Sequence, residues 1–146
     1  MNFTLKEFEN SAIASKRGLS NKVPASLMPA ALHTLTQMEL VRHALGDNPC
    51  TISSGYRGPV VNKLAGGSPT SGHMKAEAVD FTCNGYGSTR EVVKKLAASG
   101  IEFDQLILEN PNIWNSWVHI SFRISGNRGQ VMTKLHGDRT YYQGIK

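Results

Sequence analysis

EAVDFTC, Glu77 to Cys83, alternates along its length between polar or small residues and apolar ones. Successive side chains of a β-strand point to opposite faces. Val79, Phe81 and Cys83 therefore share one face, and Ala78, Asp80 and Thr82 share the other. The first set belongs against a core, so Asp80 is presented away from it. WVHISF, Trp117 to Phe122, repeats the pattern, with Val118, Ile120 and Phe122 on the core face and Trp117, His119 and Ser121 opposite. Two such strands predict a sheet with one face packed on helices and one open face carrying Asp80 and His119.

Upstream, the periodicity is helical. Thr4 and Glu7 have capping-box spacing, Leu5, Phe8 and Ala12 follow at helical intervals, and Lys16-Arg17-Gly18 supplies a stop. Met28, Leu32, Leu35, Met38, Val41 and Leu45 predict a second helix, with Pro29 in its first turn and Gly46 at its end. Cys50 to Tyr56 reads as a short strand, and residues 64–72 as loop. Ser88 and Glu91 cap a third helix that ends near Ser99-Gly100. Phe103 to Glu109 predicts a strand, followed by a turn around Asn110-Pro111-Asn112, and Val131 to Leu135 a last, edge strand. Helices first, then strands with one inserted helix, make an α+β fold with a largely antiparallel sheet packed against helices.

The chain of 146 residues fits one domain, 1–146. With 40% apolar and 18% charged residues it has the composition of a soluble globular protein. No apolar run approaches the roughly 18 residues that span a bilayer, so no membrane insertion is expected. The start, MNFTLKEFENS, has neither a basic n-region nor an apolar h-region, so synthesis in the cytoplasm without a signal peptide is expected. Cys50 and Cys83 are too few for a disulfide scaffold and read as small buried hydrophobes. The net charge of +5 favours an anionic partner. The basic residues are scattered, without a block interleaved with aromatics, which argues against nucleic acid.

The open face carries the chemistry. A loop just ahead of the Asp80 strand holds His73. Two histidines and one carboxylate are the three protein ligands that a catalytic zinc commonly takes, with a fourth position left for water. Ala76 and Ala78 leave room there, and Gly66, Gly67 and Gly72 let the loop fold back over the strand. On spacing alone, ordinary surface polar residues explain the same pattern. His33, His43 and His136 lack a companion ligand, and His43 suits the dipole at a helix C-terminus.

SGYRGPVVN (54–62), GGSPTSGHMKAEAVD (66–80), FDQLILE (103–109) and WVHISF (117–122), in that order, resemble the zinc D-alanyl-D-alanine carboxypeptidase family. That family includes phage and bacterial murein endopeptidases and has the Hedgehog/DD-peptidase fold. Its zinc signature, S-x-H-x-x-G-x-A-x-D with a later V-H, is matched by Ser71, His73, Ala78, Asp80 and His119, while Ala76 stands in place of the glycine. The resemblance runs from about Phe3 to Tyr142. It implies that His73, Asp80 and His119 bind Zn²⁺, and that Ser71 and Arg57 lie beside the substrate, Arg57 holding a carboxylate or carbonyl. Some branches place the general base three residues before the last histidine; here that residue is Ser116, so Glu109 is the candidate and Asp104 the alternative. The resemblance further implies a monomer that hydrolyses peptidoglycan stem peptides. It would be a phage or prophage endolysin-like enzyme, reaching the cell wall after release or as part of a virion. Residues 56–72 and 110–116 are expected to shape the pocket. The alternative is an inactive zinc-containing binding module of the same fold, which a missing base would favour and Glu109 opposes.

Overall fold

In the computed structural model, which describes residues 1–146, the alternating stretch forms strand β2 (Ala78–Thr82). It lies between β1 (Thr51–Ser54) and β4 (Trp117–Ser121), antiparallel to both. Beyond β4 come β3 (Gln105–Glu109), β5 (Gln130–Lys134) and β6 (Tyr141–Gln143), giving one sheet in the order β1-β2-β4-β3-β5-β6. Only the β3–β5 pair is parallel. The expected mixture of helices and a largely antiparallel sheet is what the chain adopts.

The helices are α1 (Leu5–Glu9), α2 (Ala12–Arg17), α3 (Met28–Ala44), α4 (Pro59–Leu64) and α5 (Thr89–Ala97). Val79, Phe81, Leu106, Leu108, Val118 and Ile120 turn from the sheet into one core with Leu35, Met38 and Val41 of α3 and Val92, Val93 and Leu96 of α5. Each such side chain contributes about 1.5–3 kcal/mol of burial. This layer covers one face of the sheet and leaves the other free.

Three expectations are corrected, and one helix forms where none is expected. The first helix is broken in two: Asn10 is extended, and the Ser11 hydroxyl accepts from Ala14 N–H to start a new helix. Ser and Asn side chains compete for backbone groups in this way. Leu32 is 53% exposed, and the buried stripe of α3 runs through Ala31 and Thr34 instead. Short helix α4, opened by Pro59, lies where the sequence pattern predicts no element. Finally, β5 is not an edge strand, because Tyr141–Gln143 pairs outside it. Gly137, at φ 83, lies in the turn that brings this last segment back. The helix at 89–97 and its Ser88 cap agree with the sequence pattern: the Ser88 hydroxyl accepts from Glu91 N–H.

Candidate metal centre and cleft

Sheet register brings the first two polar groups together. Asp80 and His119 are direct cross-strand partners, with His119 Nδ1 2.9 Å from Asp80 Oδ1. The third group arrives from the 3-10 turn Gly72–Lys75 that leads into β2. There the Ser71 hydroxyl caps the turn by accepting from His73 N–H at 3.2 Å. Ala76 ends it at φ 58, ψ 29, the left-handed conformation. Glycine reaches that region without penalty, which accounts for the glycine in the signature; alanine adopts it at a cost of about 1 kcal/mol. The Ala76 methyl is fully buried, and Thr34 Oγ1 donates to the Ala76 carbonyl at 2.8 Å. The methyl therefore does not displace the loop that carries His73.

His73 is 2% exposed and fixed at both ring nitrogens. Nδ1 lies 2.7 Å from the Gly55 carbonyl, which makes Nδ1 the donor and directs Nε2 at Asp80 Oδ2, 3.3 Å away. A backbone acceptor behind a ligating imidazole fixes its tautomer and orientation. Gly55 itself is held from the N-terminal segment, where Tyr56 N–H donates to the Phe8 carbonyl. A Cβ on Gly55 would sit 2.4 Å from that carbonyl oxygen, so only glycine fits. The helix break after Glu9 thus bears on the site: α1 ends against the residue that orients His73.

The ligand atoms of His73, Asp80 and His119 all lie within 4.8 Å of one another. Donors about 2.0–2.1 Å from a tetrahedral zinc are separated by about 3.3 Å. His73 Nε2 lies 3.3 Å from Asp80 Oδ2, and His119 Nδ1 lies 2.9 Å from Asp80 Oδ1, so the three groups are near that spacing. Two imidazole nitrogens and a carboxylate are also the donor chemistry zinc takes, so the residues fit the ion. Burial opposes ionisation of Asp80, but the two imidazoles outweigh it and hold the carboxyl well below its usual range. The site is thus ready to receive a cation with its carboxylate ionised.

Around this centre the open face forms a cleft of about 600 Å³. In sheet register, Asp80, His119, Ile107 and Met132 form one cross-strand row, and Trp117, Glu109, Lys134 and Tyr141 form the next. Glu109 lines the cleft, and burial pushes its carboxyl up to about 7, against the pull of His119. A carboxylate poised there suits general base catalysis. Its backbone is braced, because Ser116 Oγ donates to the Glu109 carbonyl at 2.7 Å and pairs with Thr89 Oγ1 at 2.7 Å. The residue in the alternative base position therefore supports Glu109 instead. Asp104 is occupied elsewhere. Arg128 Nε and Nη2 donate to its two oxygens at 2.9 and 2.7 Å, and it does not line this cleft.

Arg57 lines the cleft from the β1 side, with its backbone N–H on the His73 carbonyl at 3.1 Å. Its Nε is buried without a hydrogen-bond partner. Burial depresses its pKa while Asp80 raises it. A half-buried guanidinium with an unspent donor is a site for an anionic ligand group. Ser71 also lines the cleft, but its hydroxyl already serves as the cap.

The cleft walls depart from expectation. Arg57 and several residues between 65 and 72 form one wall, as expected, but none of residues 110–116 takes part. The facing wall is Gln105, Ile107, Met132 and Tyr141. The alternation of QLILE already placed Gln105 and Ile107 with Glu109. Tyr141 had a weaker signal, the β-prone TYYQ that follows the Gly137-Asp138 turn. Cys50 and Cys83 take no part; both thiols face the Asn48 carbonyl, and burial pushes the Cys50 thiol up to about 12.

A family model described as peptidase M15 matches residues 1–121, which span the three clustered ligands, Arg57 and Glu109. The chain belongs to the peptidase M15 family. This M15 chain is 33% identical over 88 residues to the zinc D-Ala-D-Ala carboxypeptidase of Streptomyces albus G. The aligned segment covers 60% of this chain and 33% of that protein, so the chain spans about a third of the length of the curated relative it matches. Strands β5 and β6, which supply Met132 and Tyr141, lie beyond the family match.

Proposed function

We propose that this M15 chain is a zinc metallopeptidase that hydrolyses peptide bonds in peptidoglycan stem peptides, D-Ala-D-Ala ends among them. The observation that carries the proposal is the convergence of His73 Nε2, the Asp80 carboxylate and His119 Nδ1 on the floor of a cleft that Glu109 and Arg57 also line. His73, Asp80 and His119 would hold Zn²⁺, which when bound supplies Lewis acidity for the scissile carbonyl and acidifies water. Gly55 keeps the His73 ring turned so that Nε2 faces the centre. Arg57 binds the carboxylate or carbonyl of the substrate through its free guanidinium donors. Glu109 accepts a proton from the attacking water at its carboxylate and returns it to the leaving amine. Ser71 serves through the turn it caps, keeping His73 in place.

The relative's name supports the D-Ala-D-Ala chemistry, and the positive charge of the chain suits an anionic envelope. An endolysin-like role for a monomeric enzyme acting on the cell wall is part of this proposal. No helix is long and apolar enough to cross a membrane. The test is mass spectrometry of purified murein incubated with the zinc-loaded protein. Release of D-alanine or of cleaved stem peptides, abolished by a chelator and restored by zinc, is expected. Intact murein from a protein shown to hold one zinc per chain would overturn the proposal.

A further inference from the structure

A second cavity opens beside the cleft, sharing Thr70, Gly72, Gln105 and His119 with it. It is small, about 60 Å³, and has no apolar lining residue. Five ionisable side chains besides His119 face it: Lys75, Arg123 and Arg128 against Glu77 and Asp104. The charges balance to one excess cation at neutral pH. The hydrogen-bond inventory is more uneven. Asp104 is satisfied by Arg128, whose Nε, Nη2 and backbone N–H all donate to it. Arg123 reaches Asp104 only through Nε, at 3.4 Å, and its terminal nitrogens make no hydrogen bond. Lys75 forms no ion pair, and neither does Glu77. Unspent cationic donors therefore border a polar space the size of a carboxylate, next to the metal centre.

We infer that this cavity is a carboxylate subsite, in which Arg123, helped by Lys75, binds a second acidic group of the substrate, distinct from the one at Arg57. The inference rests on the peptidase reading and adds to it a substrate class: peptides bearing an extra free carboxylate near the cleaved bond, in preference to their carboxamide forms. A guanidinium with two free nitrogens pairs with a carboxylate bidentately, and a carboxamide forfeits the charge-assisted part of that contact. Glu77 lies in the same space and repels the incoming group, so its neutralisation strengthens the preference. Arg123 is 40% exposed, so screening limits the effect to about fivefold.

The test uses two peptides ending in D-Ala-D-Ala, identical except that the preceding acidic side chain is a carboxylate in one and a carboxamide in the other. For the zinc-loaded protein, kcat/KM should favour the carboxylate peptide by about fivefold, mainly through KM. Arg123→Gln should bring the ratio to about one by weakening the carboxylate peptide far more than the carboxamide peptide, and Glu77→Gln should raise it. Arg128 keeps its bidentate pairing with Asp104 in both variants, and their thermal melts, checked first, should stay close to that of the unaltered protein. A ratio of one in the unaltered protein, or a ratio indifferent to Arg123→Gln, overturns the subsite while the peptidase reading stands. Should neither peptide be cleaved, the peptidase reading falls and binding decides. Amide shifts of Gly72 and Ser121 that saturate at lower concentration with the carboxylate peptide, and lose that difference in Arg123→Gln, support the subsite; equal saturation refutes it.

Discussion

Asp104→Asn and Glu109→Gln should fail in opposite ways. Asp104 is 6% exposed and accepts from Arg128 Nε, Nη2 and backbone N–H, with Arg123 Nε at 3.4 Å. Leaving one partner of a buried ion pair alone costs about 3–5 kcal/mol. The arginines are 40% and 44% exposed, so water recovers part of that, and asparagine keeps one acceptor. The expected loss is about 2 kcal/mol, or about 6 °C in Tm for a chain of this size. The hydrogen bond from the Arg128 side chain holds the Asp104 carboxyl below its ordinary range. Its contribution is present above the unfolded-state pKa of about 3.9 and is lost as pH falls through the lower folded value. The stability gap between the two proteins should therefore be full at neutral pH and close in acid. Turnover of the carboxamide peptide by the folded Asp104→Asn protein should stay within about twofold of normal, because Asp104 does not line the cleft and faces only the carboxylate subsite beside it.

For Glu109→Gln, kcat should fall about 10²–10⁴-fold, the loss expected for a general base. Stability moves the other way. Burial raises the Glu109 carboxyl to about 7 in the metal-free protein, so folding favours its protonated form. Stability is thus lost as pH rises from the unfolded-state value of about 4.3 through about 7, and glutamine removes that loss. Metal-free Glu109→Gln should melt higher than the unaltered protein at pH 8 and no higher at pH 4. Thermal melts across pH, paired with hydrolysis of a D-Ala-D-Ala peptide, measure both variants. An Asp104→Asn protein with unchanged Tm and no turnover, or a Glu109→Gln protein with full turnover, would refute the assignment of roles.

Four further outcomes are expected. His73→Ala, Asp80→Asn and His119→Ala should each reduce zinc from one per chain to substoichiometric levels in metal analysis after dialysis; undiminished zinc in any of them would remove that residue from the site. Arg57→Gln should raise KM for a D-Ala-D-Ala peptide about tenfold or more and reduce sensitivity to amidation of its terminal carboxylate; an unchanged KM would leave its buried, unpartnered Nε without a ligand role. Thr34→Val should cost about 1–3 kcal/mol in denaturant unfolding by orphaning the buried Ala76 carbonyl. Ala76→Gly should lie within about 1 kcal/mol of the unaltered protein, because relief of the positive φ offsets the lost methyl burial.

What the sequence determined by itself follows from period and local chemistry. Strict alternation in EAVDFTC and WVHISF assigned Asp80 and His119 to the open face, because side chains on a strand have no other choice. Ser88 and Thr4 placed helix starts, because a cap satisfies backbone donors within its own first turn. The ordered motifs brought His73, Arg57 and Glu109 into view together.

Only tertiary structure decided the rest, because each remaining feature depends on groups far apart in the chain. Register made Asp80 and His119 partners and set Glu109 in the neighbouring row. The Phe8 carbonyl excluded any side chain from Gly55, whose own carbonyl then turned His73 Nε2 toward Asp80. Arg128 took Asp104 out of contention as the base, although its alternation phase already differed from that of Glu109. The return of the chain at Gly137 added β6 and, with it, Tyr141 on the cleft wall. A strand pattern specifies which face a residue occupies, while its neighbours on that face are set by pairing, and pairing is a property of the whole sheet.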